Sequence, residues 1–215
     1  MRSRKGSLAD KSVQHAKRKK FEDSLGHVYL EGEQLENVYT FEYLGCRIQS
    51  DGDETADINY RMAIAQTVFN SLSHLWGDHR LTQNMKIRLY RSAVCSTISH
   101  GCEAWTFSPA VRKILNGFNS RCLSFITGEH RRETATNPDF DLVAAVVRRR
   151  LSFAGHILRM DEDRLLRQTL IAYMNSVQRY EGSLFHGCEE MTLSETIELA
   201  QNRSAWSHFI NSLDD

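Results

Sequence analysis

Between Ile58 and Trp76 the apolar residues Ile58, Met62, Ala65, Phe69, Leu72 and Trp76 recur at spacings of four, three, four, three and four. That period winds a single stripe along an α-helix. A helix striped in this way must bury the stripe against other elements. The rest of the chain offers helices to do it. Thr82 predicts the cap of a segment through Met85, Leu89, Val94 and Ile98, ended by Gly101. Ser108-Pro109 places an N-cap before a proline at the first helical position. Behind it run Val111, Ile114, Leu115, Phe118, Cys122 and Phe125, as far as Gly128. Asn137-Pro138 repeats the start signal ahead of Val143, Val146, Val147, Leu151, Ala154 and Leu158. Asp161 predicts a further helix through Leu165, Leu166, Leu170 and Tyr173. Thr192 with Glu195 forms a capping box. It opens a last helix carrying Ile197, Leu199, Trp206, Ile210 and Leu213.

Only residues 27–50 read as β-structure. Val28-Tyr29-Leu30 predicts a short strand, Glu31-Gly32-Glu33 a turn, and Thr40 to Ile48 one or two strands around Gly45. Two or three strands are not stable alone in water. Residues 30–48 are therefore expected to cover part of Phe69, Leu72 and Trp76. The predicted class is mainly α: a helical bundle of about six helices, preceded by a small β-hairpin and a disordered basic arm. The expected organisation is an arm over 1–24, the hairpin over 25–50, and a helical region over 51–175. A loop over 176–191 and a C-terminal helix over 192–215 complete it.

Composition narrows the class of protein. With 215 residues and 41% hydrophobic content, the chain can bury a sizeable core. Five cysteines, an odd and scattered set, exclude a disulfide scaffold. No apolar run is long enough for a membrane span, and the basic N-terminus lacks the apolar core of a signal peptide. The expectation is an intracellular, reduced protein with no membrane partner. The net charge is zero, yet it is arranged in blocks. Residues 1–20 carry +7, 21–80 carry −8, 81–160 carry +7 and 161–215 carry −6. A chain striped in this way can show a basic face to phosphate while remaining neutral overall.

Catalytic chemistry finds no support. Cys95 and Cys102 are seven apart around His100, with Cys122 and His130 beyond, and none has the two-residue spacing of a zinc knuckle. Cysteines on helices fill small core gaps. No nucleophile elbow and no phosphate-cradling glycine loop occurs. The acid pairs Asp51/Asp53, Asp139/Asp141 and Asp161/Asp163 could in principle flank two metal ions. Each also stands where a helix begins, as capping and the helix dipole favour. No metal, cofactor or small-molecule substrate is expected. The basic signal is stronger. Arg148, Arg149 and Arg150 are consecutive within a helix and fan across its polar side, with Arg159 beyond and Arg131 and Arg132 before. Arginine forks suit phosphate. Pairing with the acidic block at 161–163 is the alternative.

Several segments resemble, in order, the C-terminal region of non-LTR (LINE-type) retrotransposon reverse transcriptases. Val38-Tyr39-Thr40-Phe41-Glu42-Tyr43-Leu44-Gly45 is similar to that family's primer-grip segment, and Leu30 to Glu36 to the strand before it. Lys86 to Ser92, Gly101 to Trp105, Arg121 to Gly128, Arg148 to Met160 and Leu199 to Trp206 resemble successive motifs of its thumb and tail. The likeness runs over roughly residues 28–210. It departs from the family at Glu42, where lysine is common, and at residues 176–190. The polymerase carboxylates belong upstream of Tyr43-Leu44-Gly45, and residues 1–27 hold only Asp10, Glu22 and Asp23.

The resemblance implies a non-catalytic fragment: primer grip, thumb and tail. Its inherited task would be holding an RNA/DNA template–primer duplex by the backbone, without reading sequence. It assigns Tyr43, Leu44 and Gly45 to the grip, and Arg148, Arg149, Arg150 and Arg159 to phosphate contacts. Two other readings stand beside it. One is a helical interaction protein, or decayed remnant, without nucleic-acid binding. The other is an enzyme completed by a polymerase palm supplied in trans.

Overall fold

The computed structural model describes Gly26 and residues 28–52, 54–105, 107–128, 140–176 and 191–213. The basic arm, Arg131 and Arg132, the Asn137-Pro138 start and the loop after Ser176 lie outside the described residues. The chain divides into two compact units, Met1–Asp57 and Ile58–Asp215.

The first unit holds two hairpins in tandem. Strands β1 (Tyr29–Leu30) and β2 (Glu33–Gln34) pair antiparallel, as do β3 (Thr40–Tyr43) and β4 (Cys46–Gln49). Both connections are two residues long, Glu31-Gly32 and Leu44-Gly45. All four of these residues have positive φ, at 52°, 88°, 48° and 76°. Two-residue loops with positive φ throughout are type I′ turns, whose twist matches that of the strands. Phe41 faces Ile48 and Tyr43 faces Cys46 across the ladder, while Glu42 faces Arg47. Side chains alternate along a strand. One side of the β3–β4 ribbon is therefore apolar and the other polar. The apolar side is open, with Phe41 54%, Tyr43 58% and Ile48 54% exposed.

The second unit is helical, so the molecule is mainly α with small hairpins at its N-terminal end. Helix α1 (Thr55–Ser71) carries the expected stripe, and Ile58 and Ala65 are fully buried. It stops short of Trp76, in place of the expected run to Gly77. The chain steps at Leu72 into a single turn, α2 (Ser73–Trp76). The step turns the Trp76 indole back, so that its N–H donates to the Phe69 carbonyl at 2.9 Å and its ring stacks on Phe69 at 5.2 Å. Tyr90 and Phe125 meet Phe69 edge-on. Phe69 and Trp76 are thus packed by residues of the helical unit itself.

Helix α3 begins at Gln83, capped by the Thr82 hydroxyl, and runs as an α-helix to Leu89. It continues through a π-helical stretch, Tyr90–Cys95, and closes over Ser96–Ile98. A 3₁₀ turn (Cys102–Ala104) leads to α4 (Pro109–Thr127), which Ser108 caps and left-handed Gly128 ends, as predicted. Helix α5 (Leu142–Leu158) is capped by the Asp141 carboxylate, which accepts from the N–H groups of Val143 and Ala144. Helix α6 spans Leu165–Ser176. The expected last helix is two. α7 (Leu193–Gln201) opens with the Thr192–Glu195 capping box. Asn202, with extended backbone, breaks it and caps α8 (Arg203–Ser212) through its own side chain.

Helix α5 is the hub. It packs against the 3₁₀ turn, α4, α6, α7 and α8. Val146, Leu151, Ala154 and Leu158 are fully buried there. Phe125, predicted on the apolar face of α4, is 63% exposed and touches Phe69 only at its edge.

Candidate functional site

Tyr43, Leu44 and Gly45 form the tip of the β3–β4 ribbon. Leu44 is 79% exposed and held at φ 48°. A left-handed backbone costs a non-glycine residue about 1–2 kcal/mol. Asparagine or aspartate is the usual occupant of that turn position. A large aliphatic side chain that is strained and buries nothing is not explained by the folding of its own hairpin. Tyr43 stacks on Phe41 with centroids 6.4 Å apart. The tip thus offers an aromatic pair beside an aliphatic knob. At the ribbon's other end the Asp57 carboxylate accepts from the Arg47 N–H at 2.9 Å, which ties β4 to the chain leaving it. The Tyr39 hydroxyl donates to Asp51 at 2.8 Å.

The arginines of α5 do not form one face. Arg150 is only 4% exposed. Its Nη2 donates to the Trp105 carbonyl at 2.8 Å, and its guanidinium lies 5.2 Å from the centre of the Phe107 ring. Its assignment as a phosphate contact is corrected: it is a buried joint between α5 and the 103–107 segment. Arg149 is partly exposed and ion-paired with Glu103 of the same segment. That carboxylate holds the Arg149 pKa above the ordinary value. Arg159 also joins two segments. It is half-buried, and its Nη1 donates to the Ala200 carbonyl at 2.7 Å, fastening the end of α5 to α7. Burial, and then the charge of Arg203, lower its pKa. Arg148 is half-buried on α5.

Two more joints complete the pattern. The Trp206 indole N–H donates to the Leu151 carbonyl at 3.0 Å, and its ring fills the space where a side chain at Gly155 would stand. Gln201 donates to the Leu158 carbonyl at 2.9 Å. The segments around Cys102–Trp105 and Leu199–Trp206 therefore each pack on Arg148–Met160.

Cys95, Cys102 and Cys122 lie in the core. Burial pushes the Cys95 and Cys102 thiols up to about 12 and that of Cys122 to about 11. Thiols held neutral in this way are poor nucleophiles and poor metal ligands. The Tyr90 hydroxyl donates to Asn119 Oδ1 at 3.0 Å, and Asn119 donates to the Phe140 carbonyl at 3.4 Å. Among the described residues, no three His, Cys, Asp or Glu side chains gather as a metal site.

The exposed cations lie elsewhere. Arg88 and Arg91 of α3 and Lys113 and Arg121 of α4 all face solvent, and these two helices pack together. Arg91 lies over the Phe140 ring at 4.9 Å, and Arg121 over Phe118 at 5.9 Å. The sequence carried a signal for them. Residues 83–98, 109–127 and 142–158 hold nine lysines and arginines and no aspartate or glutamate.

No family model matches the chain, and no solved structure does. It is similar to an uncharacterized transposon-derived protein of Caenorhabditis elegans, 28% identical over 142 residues. The likeness covers 61% of this chain and 50% of that protein, so the chain spans about half the length of that relative.

Proposed function

We propose that the chain is a non-catalytic, transposon-derived remnant of the C-terminal region of a LINE-type reverse transcriptase, which holds an RNA/DNA duplex by its backbone. The observation that carries this reading is the absence of any acid on the three longest basic helices, set against their nine cations. Lysines and arginines clustered along helices are the electrostatic footprint of a phosphate-binding face. With Arg150 and Arg159 assigned to joints, the phosphate contacts fall to Arg88, Arg91, Lys113 and Arg121, flanked by Arg148 and Arg149. Tyr43, Leu44 and Gly45 form a second contact, apolar and aromatic, on the hairpin unit. The ordered motifs and the likeness to a transposon-derived protein support the ancestry.

The test is fluorescence anisotropy with a labelled RNA/DNA hybrid of mixed sequence, measured across salt. Non-specific binding of this kind gives Kd of roughly 10⁻⁴ to 10⁻⁶ M at physiological salt, with a log–log slope of about 0.9 per phosphate on B-form DNA. Changing Arg88, Arg91, Lys113 and Arg121 together to Gln should flatten the slope and abolish measurable affinity while the circular dichroism stays the same. A chain lacking residues 1–24 should still bind. If the quadruple variant binds like the parent, the reading is wrong. Primer extension with Mg²⁺ or Mn²⁺ should give no product.

A second reading has its own observation. Nine large apolar residues between Val28 and Ile48 are each at least 42% exposed. That surface favours a protein partner for the hairpin unit.

A further inference from the structure

One groove of the helical unit belongs to neither the hairpin tip nor the cationic helices. It encloses about 580 Å³ where α5 turns into α6, and is lined by Arg159, Met160, Asp161, Arg164, Leu165 and Leu166. Two arginines face one aspartate. Arg159 is fixed there by the Ala200 carbonyl, so its guanidinium is already oriented. Glu162, the next acid in the turn, is engaged with Arg167 at 3.3 Å.

The apolar part of the lining is the unusual feature. Leu165 is 76% exposed and Leu166 48% exposed, although α6 places Leu170 and Met174 in the core. The two leucines therefore contribute little to folding. No described residue of the lining is aromatic. Nucleobases stack on aromatic rings, and a phosphate backbone gains nothing from aliphatic side chains. A carboxylate beside a large aliphatic side chain satisfies both halves of the groove.

We propose that this groove docks a protein segment in which aspartate or glutamate alternates with leucine-like residues. The carboxylate would lie against Arg159 and Arg164 and the aliphatic side chain against Leu165 and Leu166. Charge complementarity selects the segment, and the leucine lip distinguishes it from a purely acidic one.

The experiment titrates the full chain against a fluorescein-labelled peptide of alternating aspartate and leucine. A peptide of alternating aspartate and serine and one of alternating lysine and leucine run beside it. The Asp–Leu peptide should bind at least about tenfold more tightly than either of the others. Arg164→Glu should weaken it by about tenfold or more, and Leu165→Ser by about threefold or more. Both sites are exposed, so both variants should keep the parental circular dichroism. Arg88→Glu, on another helix, should leave peptide binding unchanged. Equal binding of the Asp–Ser peptide, unchanged affinity in both groove variants, or no binding at all would overturn the proposal. So would complete displacement of the peptide by an RNA/DNA hybrid that Arg88→Glu prevents, since the peptide would then be occupying the cationic helices.

Discussion

The two units use their motif residues in opposite ways. In the helical unit four of the motif side chains face inward. Arg150, Trp206, Gln201 and Arg159 are all hydrogen-bonded to main-chain carbonyls of neighbouring segments. In the hairpin unit they face outward. Phe41, Tyr43, Leu44 and Ile48 are more than half exposed, and Leu44 adds a strained backbone. A motif residue that completes the core is explained by folding and says nothing about a ligand. A motif residue that folding does not need points to a ligand. The inward residues therefore bear on the fold, and the outward ones on what the chain could bind.

That contrast can be broken by mutation, and the largest effect lies at the joint between α8 and α5. Trp206→Ala should cost about 3–5 kcal/mol in urea unfolding, the range for emptying a buried aromatic site. Gly155→Ala should cost about 1–3 kcal/mol, because the new methyl collides with the same indole. A Trp206→Ala loss below about 1 kcal/mol would show that α8 is not part of the cooperative core.

Arg148 and Arg150 form the next test, being two apart in sequence and unlike in surroundings. Arg150→Ala should destabilise by about 1–3 kcal/mol, since it leaves the buried Trp105 carbonyl without its donor. Arg148→Ala, at a half-buried position, should cost less than that. Equal effects on stability would erase the distinction between the buried and the half-buried arginine.

The hairpin should respond with the opposite sign. Leu44→Asn places a residue tolerant of left-handed backbone in the turn and should stabilise the ribbon by up to about 1 kcal/mol. Amide exchange at Phe41 and Ile48 is the measurement. The same change should weaken any ligand held at the tip. Faster exchange in the variant would mean that the leucine is there for the hairpin's own stability.

The smallest effect concerns the thiols. Burial raises the pKa of Cys95 and Cys102 to about 12 and of Cys122 to about 11, from an ordinary 9.0. An unfolded chain would release those protons near pH 9 while the native chain retains them. The native state then binds more protons, and stability falls as pH rises from about 9 toward 11 and 12. Cys102→Ala should make that decline shallower. At neutral pH, native-state alkylation should reach half-buried Cys46 well before these three.

Much of the helical architecture was legible because caps are local. Thr82, Ser108 and the Thr192–Glu195 box act within a single turn of chain, and each marks a true helix start. The breaks were harder to read. Asn202 interrupts a continuous apolar period between Leu199 and Trp206, and the halt before Trp76 depends on a tertiary preference of its indole. The arginine run misled for a geometric reason. Three consecutive helical residues span about 200° of arc. A hub helix packed against five elements does not have that much free surface, so one of the three had to turn inward. The strain at Leu44 leaves no trace in composition or period. The exposed cations of α3 and α4 were visible only as missing acids.

The joints around α5 have a direction. At each, a side chain gives the proton and a peptide carbonyl receives it, as at Trp105, Leu151, Leu158 and Ala200. Every residue type presents that carbonyl. The receiving positions are therefore nearly free to drift during descent, so long as the backbone keeps its path, whereas the giving positions are not. As copies of such a chain diverge, Arg150, Arg159, Gln201 and Trp206 should be the last to change, even where Ala200 or Leu158 has been replaced several times.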